Sequence, residues 1–412
     1  METVPEQTRL HIPIPSSRPG EQPDFSDIEV PNAGSAERPD EGVDPREIPE
    51  LASTLIRVLN KKHEAVGPWA MDIPVDTLRR GLRYMLTVRV YDDRMFQLQR
   101  QGKLSFYMKS TGEEAVSVAA ALALRSGDMF FPSYRQQGLL IARDRSLVDM
   151  MSHCLSNSRD SAKGRQMPVM YTWKEGNFFS ISGNLGTQLP QAVGWAMGAA
   201  YKNQDHVAAG WVGDGTTAEG DFHYALTFAS VYQAPVIMNV VNNQWAISSY
   251  QGVAGGEHAT FAERGLGYGL PALRVDGNDF LAVYAATQWA AKRARQLDGP
   301  TLIEHFTYRV EAHSSSDDPS QYRPLSEASE WPLGDPIERL KNHLINLGEW
   351  SEEQHQELYQ ETVEKIRAAY AEAESYGTLT DGPRLSRSTM FEDVYKEPLP
   401  HLQRQRAQML ED

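Results

Sequence analysis

Two stretches of this chain are apolar almost throughout, and they restrict the fold more than any other feature. They are His206–Asp214 (HVAAGWVGD) and Ala234–Asn243 (APVIMNVVNN), and each follows a segment with helical spacing. A strand with one face in water alternates apolar and polar residues. A strand apolar along its length is covered on both faces, as in a parallel sheet with helical crossovers. The helical partners are the Ala/Gly-rich TQLPQAVGWAMGAAYKNQ and AEGDFHYALTFASVYQ. Further along, LRVDGND and TLIEHFTYRV read as strands around a helix at Phe280–Leu297, the second strand running to Val310. Upstream, DMFFP is a short strand opening into an edge loop, PSYR. The predicted class is α/β, a mostly parallel sheet with helices on both faces.

Around this core the pattern changes. Residues 1–50 hold nine of the 24 prolines and twelve acids, and proline blocks helix and ladder alike. An arm over 1–73 is therefore expected, either disordered or laid over a partner. The α/β domain is placed at 74–335. It opens with a helix from Pro74, in which Leu78, Leu82, Met85, Leu86, Val90 and Met95 recur at helical intervals up to Gly102. A second helix at Glu113–Arg125 starts with two glutamates, which suit the positive end of a helix dipole. GLLIARDRSLVDMMSHCLSN reads as one helix. A helical tail is expected over 336–412, with Asp335 capping one helix, Pro336 and Glu338 in its first turn, and Ser351 capping the next.

Composition removes several function classes. The net charge of −15 argues against a nucleic-acid binder, which needs a basic face. A single cysteine, Cys154, makes neither a disulfide framework nor a cysteine zinc site and fits a reducing compartment. No apolar run approaches the roughly 18 residues of a membrane span. The opening METVPEQTRLHIPIP reads as neither signal nor transit peptide. A cytoplasmic protein, off the membrane, is expected.

The chemistry concentrates at two strand ends. Gly213-Asp214-Gly215 closes one buried strand, and Asn242-Asn243 closes the next. A right-handed strand–helix–strand unit sets these ends side by side, where open parallel sheets bind ligands. Asp214 offers a hard anionic oxygen, Asn243 an amide oxygen, and nearby carbonyls a third donor. This set suits magnesium, which shares its oxygen ligands with phosphates. As an edge carboxylate, Asp214 is expected to be exposed and to add little to the core. The glycines let backbone N–H groups approach a phosphate. Each motif alone is a common turn; the pair, separated by 216–241 read as one helix and one strand, is far more specific. Ala218 breaks the dinucleotide pattern G-x-G-x-x-G, and no phosphate-loop motif occurs.

The pair resembles the thiamine-diphosphate fingerprint. SFYMKSTGEEAVSVAAALAL, PSYRQQG, NLGTQLPQAVGWAMG, RVDGNDFLAVY and YRVEAHSSSDDPSQYR, in this order over about 75–335, resemble the alpha subunits of the thiamine-dependent 2-oxo acid dehydrogenases. The form HSSSDDPSQYR is most similar to the branched-chain members. The resemblance implies a thiamine-diphosphate-binding fold that decarboxylates a 2-oxo acid and passes the acyl unit to a lipoyl group on an acyltransferase core. It puts magnesium on Asp214, Asn243 and the carbonyl of Trp245. It puts the cofactor near Tyr134, Arg135, Gly213, Gly215, Thr216 and His313, with Ser182, Gly183 and Leu185 propping the aminopyrimidine. His313 is the implied catalytic residue, in a polar loop after a strand. In some relatives Ser182, Thr187 and Gln188 also hold potassium.

Two positions depart from the pattern: Val241 stands where some relatives have a phosphate-reaching arginine, and Ser133 where some have glutamine. The glutamate that activates the aminopyrimidine is also missing. Glu113 and Glu114 read as openers of a helix, and the family solution is a separate beta chain in an alpha2-beta2 heterotetramer. Pyruvate or acetoin as substrate, a non-catalytic scaffold subunit and a nucleotide-binding oxidoreductase stand as alternatives at this point.

Overall fold

The structure, a computed structural model, describes residues 10–411. Its frame is a six-stranded sheet. In chain order the strands are β1 (Leu55–Ile56), β2 (Met129–Phe131), β3 (Ala208–Gly213) and β4 (Val236–Asn242). After a hairpin of β5 (Trp245–Ala246) and β6 (Ser249–Tyr250) come β7 (Ala272–Asp276) and β8 (Thr301–Phe306). The spatial order is β1-β7-β8-β4-β3-β2, and every pair in it is parallel.

The apolar runs are explained by the pleat. On β4, Ile237 and Val241 face one core while Val236, Met238 and Val240 face the other. The first core is covered by α1 (Val75–Arg100), α2 (Glu114–Ala123) and α8 (Phe280–Arg295), which supply Leu82, Val116 and Trp289. The second is covered by α5 (Gln188–Tyr201) and α6 (Gly220–Tyr232), through Leu189, Ala192, Phe222 and Leu226, and closed by the short α7 (Glu263–Leu266). The α/β expectation with helices on both faces therefore holds.

Three features differ from the sequence reading. The single helix expected after Gly138 is two, α3 (Gln137–Ala142) and α4 (Leu147–Leu155). Asp144 between them adopts φ +59°, and Ser146 caps α4 by accepting a bond from the Asp149 N–H. β8 ends at Phe306 rather than Val310, because its partner β4 stops at Asn242. Thr307 and Arg309 still donate to the Asn242 and Asn243 carbonyls, but Val310 turns to the carbonyl of Thr111.

The arm is the third difference. Its residues 1–9 lie outside the described residues. The rest is laid over this chain's own body. Trp289 Nε1 donates to the Pro39 carbonyl at 2.9 Å, and Arg293 Nη1 to those of Glu41 and Val43 at 2.7 and 2.9 Å. β1, inside the span assigned to the arm, pairs with β7 as the sheet's edge. The helical tail is as expected and starts at Pro336. α9 (Pro336–Asn346) and α10 (Glu352–Ser375) bury Leu340, Leu344, Leu358 and Ile366 in the same core as α1, and α11 (Pro400–Glu411) follows. Asp335 and Ser351 cap as expected, while Glu338 pairs with Lys341 at 2.8 Å.

Candidate active site

The carboxyl ends of β3, β4 and β8 are level: Gly213 pairs with Val241, and Asn242 with Phe306. Asp214 and Asn243 therefore turn over one rim. The Asp214 N–H donates to the Val241 carbonyl at 3.2 Å, and Thr217 Oγ1 closes the turn on the Asp214 carbonyl at 2.6 Å. Gly215 has no freedom to be larger, since a Cβ there would lie 2.4 Å from that of Ala246 on the hairpin. Gly213 has open space where its Cβ would be. Gly213, Thr216, Asn243, Tyr134, Arg135 and Glu113 wall a cleft completed by Ser133, Gln136, Val241, Ser182, Leu185 and Gln188. Its cavity is about 30 Å³.

Asp214 is not the exposed edge carboxylate expected. It is 2% exposed, and its Oδ2 is buried with no hydrogen-bond partner among the described residues. Burial pushes its pKa up to about 7, against the pull of the Gly215 N–H and Arg309. Asn243 donates through Nδ2 to Glu113 Oε1 at 2.7 Å, while its Oδ1 receives only a 3.4 Å contact from the Trp245 N–H. The Trp245 carbonyl accepts from Arg309 Nη1 at 2.7 Å.

Arg135 and Tyr134 leave β2 toward the same rim. Arg135 is buried, not a surface side chain. Its Nη1 donates to the Lys109 carbonyl at 2.7 Å, and its Nη2 meets His313 Nδ1 at 2.9 Å and the His313 carbonyl at 2.5 Å. His313 lies well past the end of β8, half-buried, with its N–H on Asp317 Oδ2 at 2.7 Å. It is beside the cleft rather than in its wall. A guanidinium only donates, so His313 Nδ1 accepts and the ring's proton sits on Nε2. Burial, then Arg135 and Arg309, drive its pKa down to about 3, and the imidazole is neutral.

The loop before α5 carries the remaining expected residues. Ser182 Oγ accepts from the Asn184 N–H at 3.1 Å, Thr187 Oγ1 donates to the Asn184 carbonyl at 3.0 Å, and Leu185 is 45% exposed. Next to Gly183 a Cβ would meet open space. Gln188 Nε2 donates to the Trp211 carbonyl at 2.8 Å, and its Oε1 is buried without a partner among the described residues. Of the two departures, Val241 gives the cleft an apolar wall, and Ser133 donates to Gln136 Oε1 at 2.7 Å.

Sequence reasoning missed three residues. Glu113, read as a helix opener, is 3% exposed in the cleft wall. The neighbouring Glu114 stands in the first turn of α2 and accepts from the Gly112 N–H at 2.8 Å and from Arg89 Nε at 2.8 Å. Arg309 and Gln136 carried no local signal; only the folding of 307–310 against β4 brings Arg309 to Trp245.

A sequence profile of the dehydrogenase E1 component matches residues 82–381, and one of the 2-oxoisovalerate dehydrogenase E1 alpha subunit N terminal matches residues 6–46. The 2-oxoisovalerate dehydrogenase subunit alpha of Pseudomonas aeruginosa is 57% identical over 404 residues, 98% of each chain. The mitochondrial subunit of Mus musculus is 39% identical over 362 residues, 86% of this chain and 79% of that one. That of Dictyostelium discoideum is 39% identical over 334 residues, 79% and 73% of the two chains.

Proposed function

The chain belongs to the dehydrogenase E1 component family as an alpha subunit of the 2-oxoisovalerate type, and we propose that its cleft holds the diphosphate of thiamine diphosphate through a magnesium ion. The observation that carries this is the Asp214 carboxylate. A buried charge with an unpartnered oxygen is costly and takes up a proton unless a cation takes the proton's place. The nearly free Oδ1 of Asn243 is a second hard donor at the same rim. The Trp245 carbonyl gives one lone pair to Arg309 and keeps another for the metal. These donors fit magnesium.

The enzyme decarboxylates branched-chain 2-oxo acids and delivers the acyl group to a lipoyl-bearing acyltransferase, in branched-chain amino acid catabolism. When bound, thiamine diphosphate supplies the electron sink that lets carbon dioxide leave. This chain's residues do the holding. Gly213 and Gly215 let backbone approach the phosphates, and Thr216, Tyr134 and the unused N–H groups of Arg135 donate to them. Ser182, Gly183 and Leu185 border the aminopyrimidine. His313 presents a neutral Nε2–H to a phosphate oxygen or the substrate carboxylate. Gln188 Oε1, with the oxygens of Ser182 and Thr187, forms a potassium site on the same loop.

A second chain completes the site. Both candidate glutamates are committed, Glu113 to Asn243 and Glu114 to Arg89. The activating glutamate belongs to a beta subunit, in an alpha2-beta2 heterotetramer. Tyr224, Phe228, Val231 and Tyr232 form an apolar stripe on α6, 53–68% exposed, and the beta chain would cover it. No helix among the described residues is long and apolar enough to cross a membrane; the full-length bacterial relative favours a cytoplasmic complex. The test is decarboxylation by the co-expressed alpha–beta assembly with an artificial electron acceptor. Preference for 3-methyl-2-oxobutanoate over pyruvate is expected; the reverse preference overturns the substrate assignment.

A further inference from the structure

We infer that Glu113 is a positioning residue for the metal: it turns the Asn243 side chain so that the amide oxygen, not the amide nitrogen, faces the cation. The inference rests on the metal site proposed above and adds a residue to it.

An asparagine amide presents two ends of nearly equal size, and only one of them binds a metal. Left alone, the group samples both orientations. At Asn243 the bond from Nδ2 to Glu113 Oε1, at 2.7 Å between two buried side chains, selects one. A carboxylate accepts and does not donate, so the flipped amide would set oxygen against oxygen. The other contact of this amide, from the Trp245 N–H to Oδ1, is 3.4 Å long and too weak to hold it.

Glu113 is itself fixed. Its N–H donates to the Ser110 carbonyl at 2.9 Å, and its carbonyl accepts from the Val116 N–H at 3.1 Å. Gly112 before it holds φ +95°, and a Cβ there would meet the Tyr308 carbonyl oxygen at 2.4 Å, so this loop is packed directly on the strand segment beside the site. The ordinary alternative is a cap on the amino end of α2, but Glu113, in the N-cap position, makes no side-chain cap bond. Among the described residues the Glu113 side chain bonds to no backbone N–H of that helix. Groups that orient a metal's ligands typically account for 10–100-fold in affinity.

The experiment separates the bond from the charge. Glu113→Asp keeps the charge but withdraws the oxygen by one methylene. Glu113→Gln removes the charge and offers an amide that can accept from Asn243 or donate to it, so it no longer selects one end of that side chain. In the alpha–beta assembly with saturating thiamine diphosphate, free Mn²⁺ is counted by electron paramagnetic resonance, with assembly checked by sedimentation. The expected result is a 10–100-fold weaker Mn²⁺ affinity for both Glu113→Asp and Glu113→Gln, the first showing that the bond and not the charge is what counts. Wild-type affinity in either variant overturns the inference. Asn243→Ala is the control: if it too binds Mn²⁺ like wild type, the metal-site reading itself has failed, whereas its loss beside an intact Glu113→Asp counts against Glu113 alone.

Discussion

Replacing Asp214 by asparagine is expected to stabilise the metal-free protein while destroying its response to metal. The carboxyl's pKa is raised from 3.8 to about 7 by burial, roughly three units at about 1.4 kcal/mol each. Below pH 3.8 the group is protonated in both folded and unfolded chains, and no penalty exists. As pH rises toward 7, the unfolded chain ionises freely while the folded one resists. Stability therefore falls across that window and levels off above it, lower by about 4 kcal/mol. Asparagine stands in for the protonated acid, although its buried amide hydrogens give back about 1 kcal/mol. At pH 8 the Asp214→Asn assembly is expected to resist urea better than wild type by about 3 kcal/mol, and at pH 5 by under about 1 kcal/mol. Magnesium and thiamine diphosphate at about 100 times their dissociation constant add about 2.7 kcal/mol to wild type and nothing to the variant. A metal-free variant less stable than wild type at pH 8 would refute the reasoning, because the carboxylate would then already be satisfied without a cation.

His313→Ala is expected to lower single-turnover decarboxylation by roughly 10²–10⁴-fold if Nε2–H serves in the transition state, with a modest fall in melting temperature, because Arg135 Nη2 loses the ring nitrogen but keeps the His313 carbonyl; normal turnover would make it a loop residue, and a collapsed melt a structural one. Gly215→Ala places a Cβ against Ala246 and is expected to cost about 1–3 kcal/mol in urea denaturation. It should also weaken magnesium binding by moving the hairpin that carries the Trp245 carbonyl, and a variant with unchanged stability and affinity would show that the hairpin yields freely.

The sheet was legible because its strands are buried on both faces, which writes nearly continuous apolar runs such as Val236–Val241, broken only by the buried Asn239, into the sequence. The rim was legible because GDG and NN close two such runs a helix and a strand apart. Burial at the rim was not. Asp214 looks like an edge carboxylate until β5 and Arg309 close over it, and no local pattern announces that. Glu113 and Glu114 are adjacent acids at a helix start, identical as text; one folds toward Arg89 and the other toward Asn243, 130 residues away. β1 escaped notice because two residues hold no periodicity, and the arm because side chains of α8, far along the chain, capture its backbone carbonyls.

The central claim is that this chain grips thiamine diphosphate through Asp214 and a metal at a site that a second chain must complete. Isothermal titration of thiamine diphosphate with magnesium tests it most directly, on the chain alone, on the alpha–beta assembly, and on the assembly carrying Asp214→Ala. Tight, magnesium-dependent binding is expected for the wild-type assembly only. Equal binding by the lone chain, or wild-type affinity in the Asp214→Ala assembly, would contradict the account.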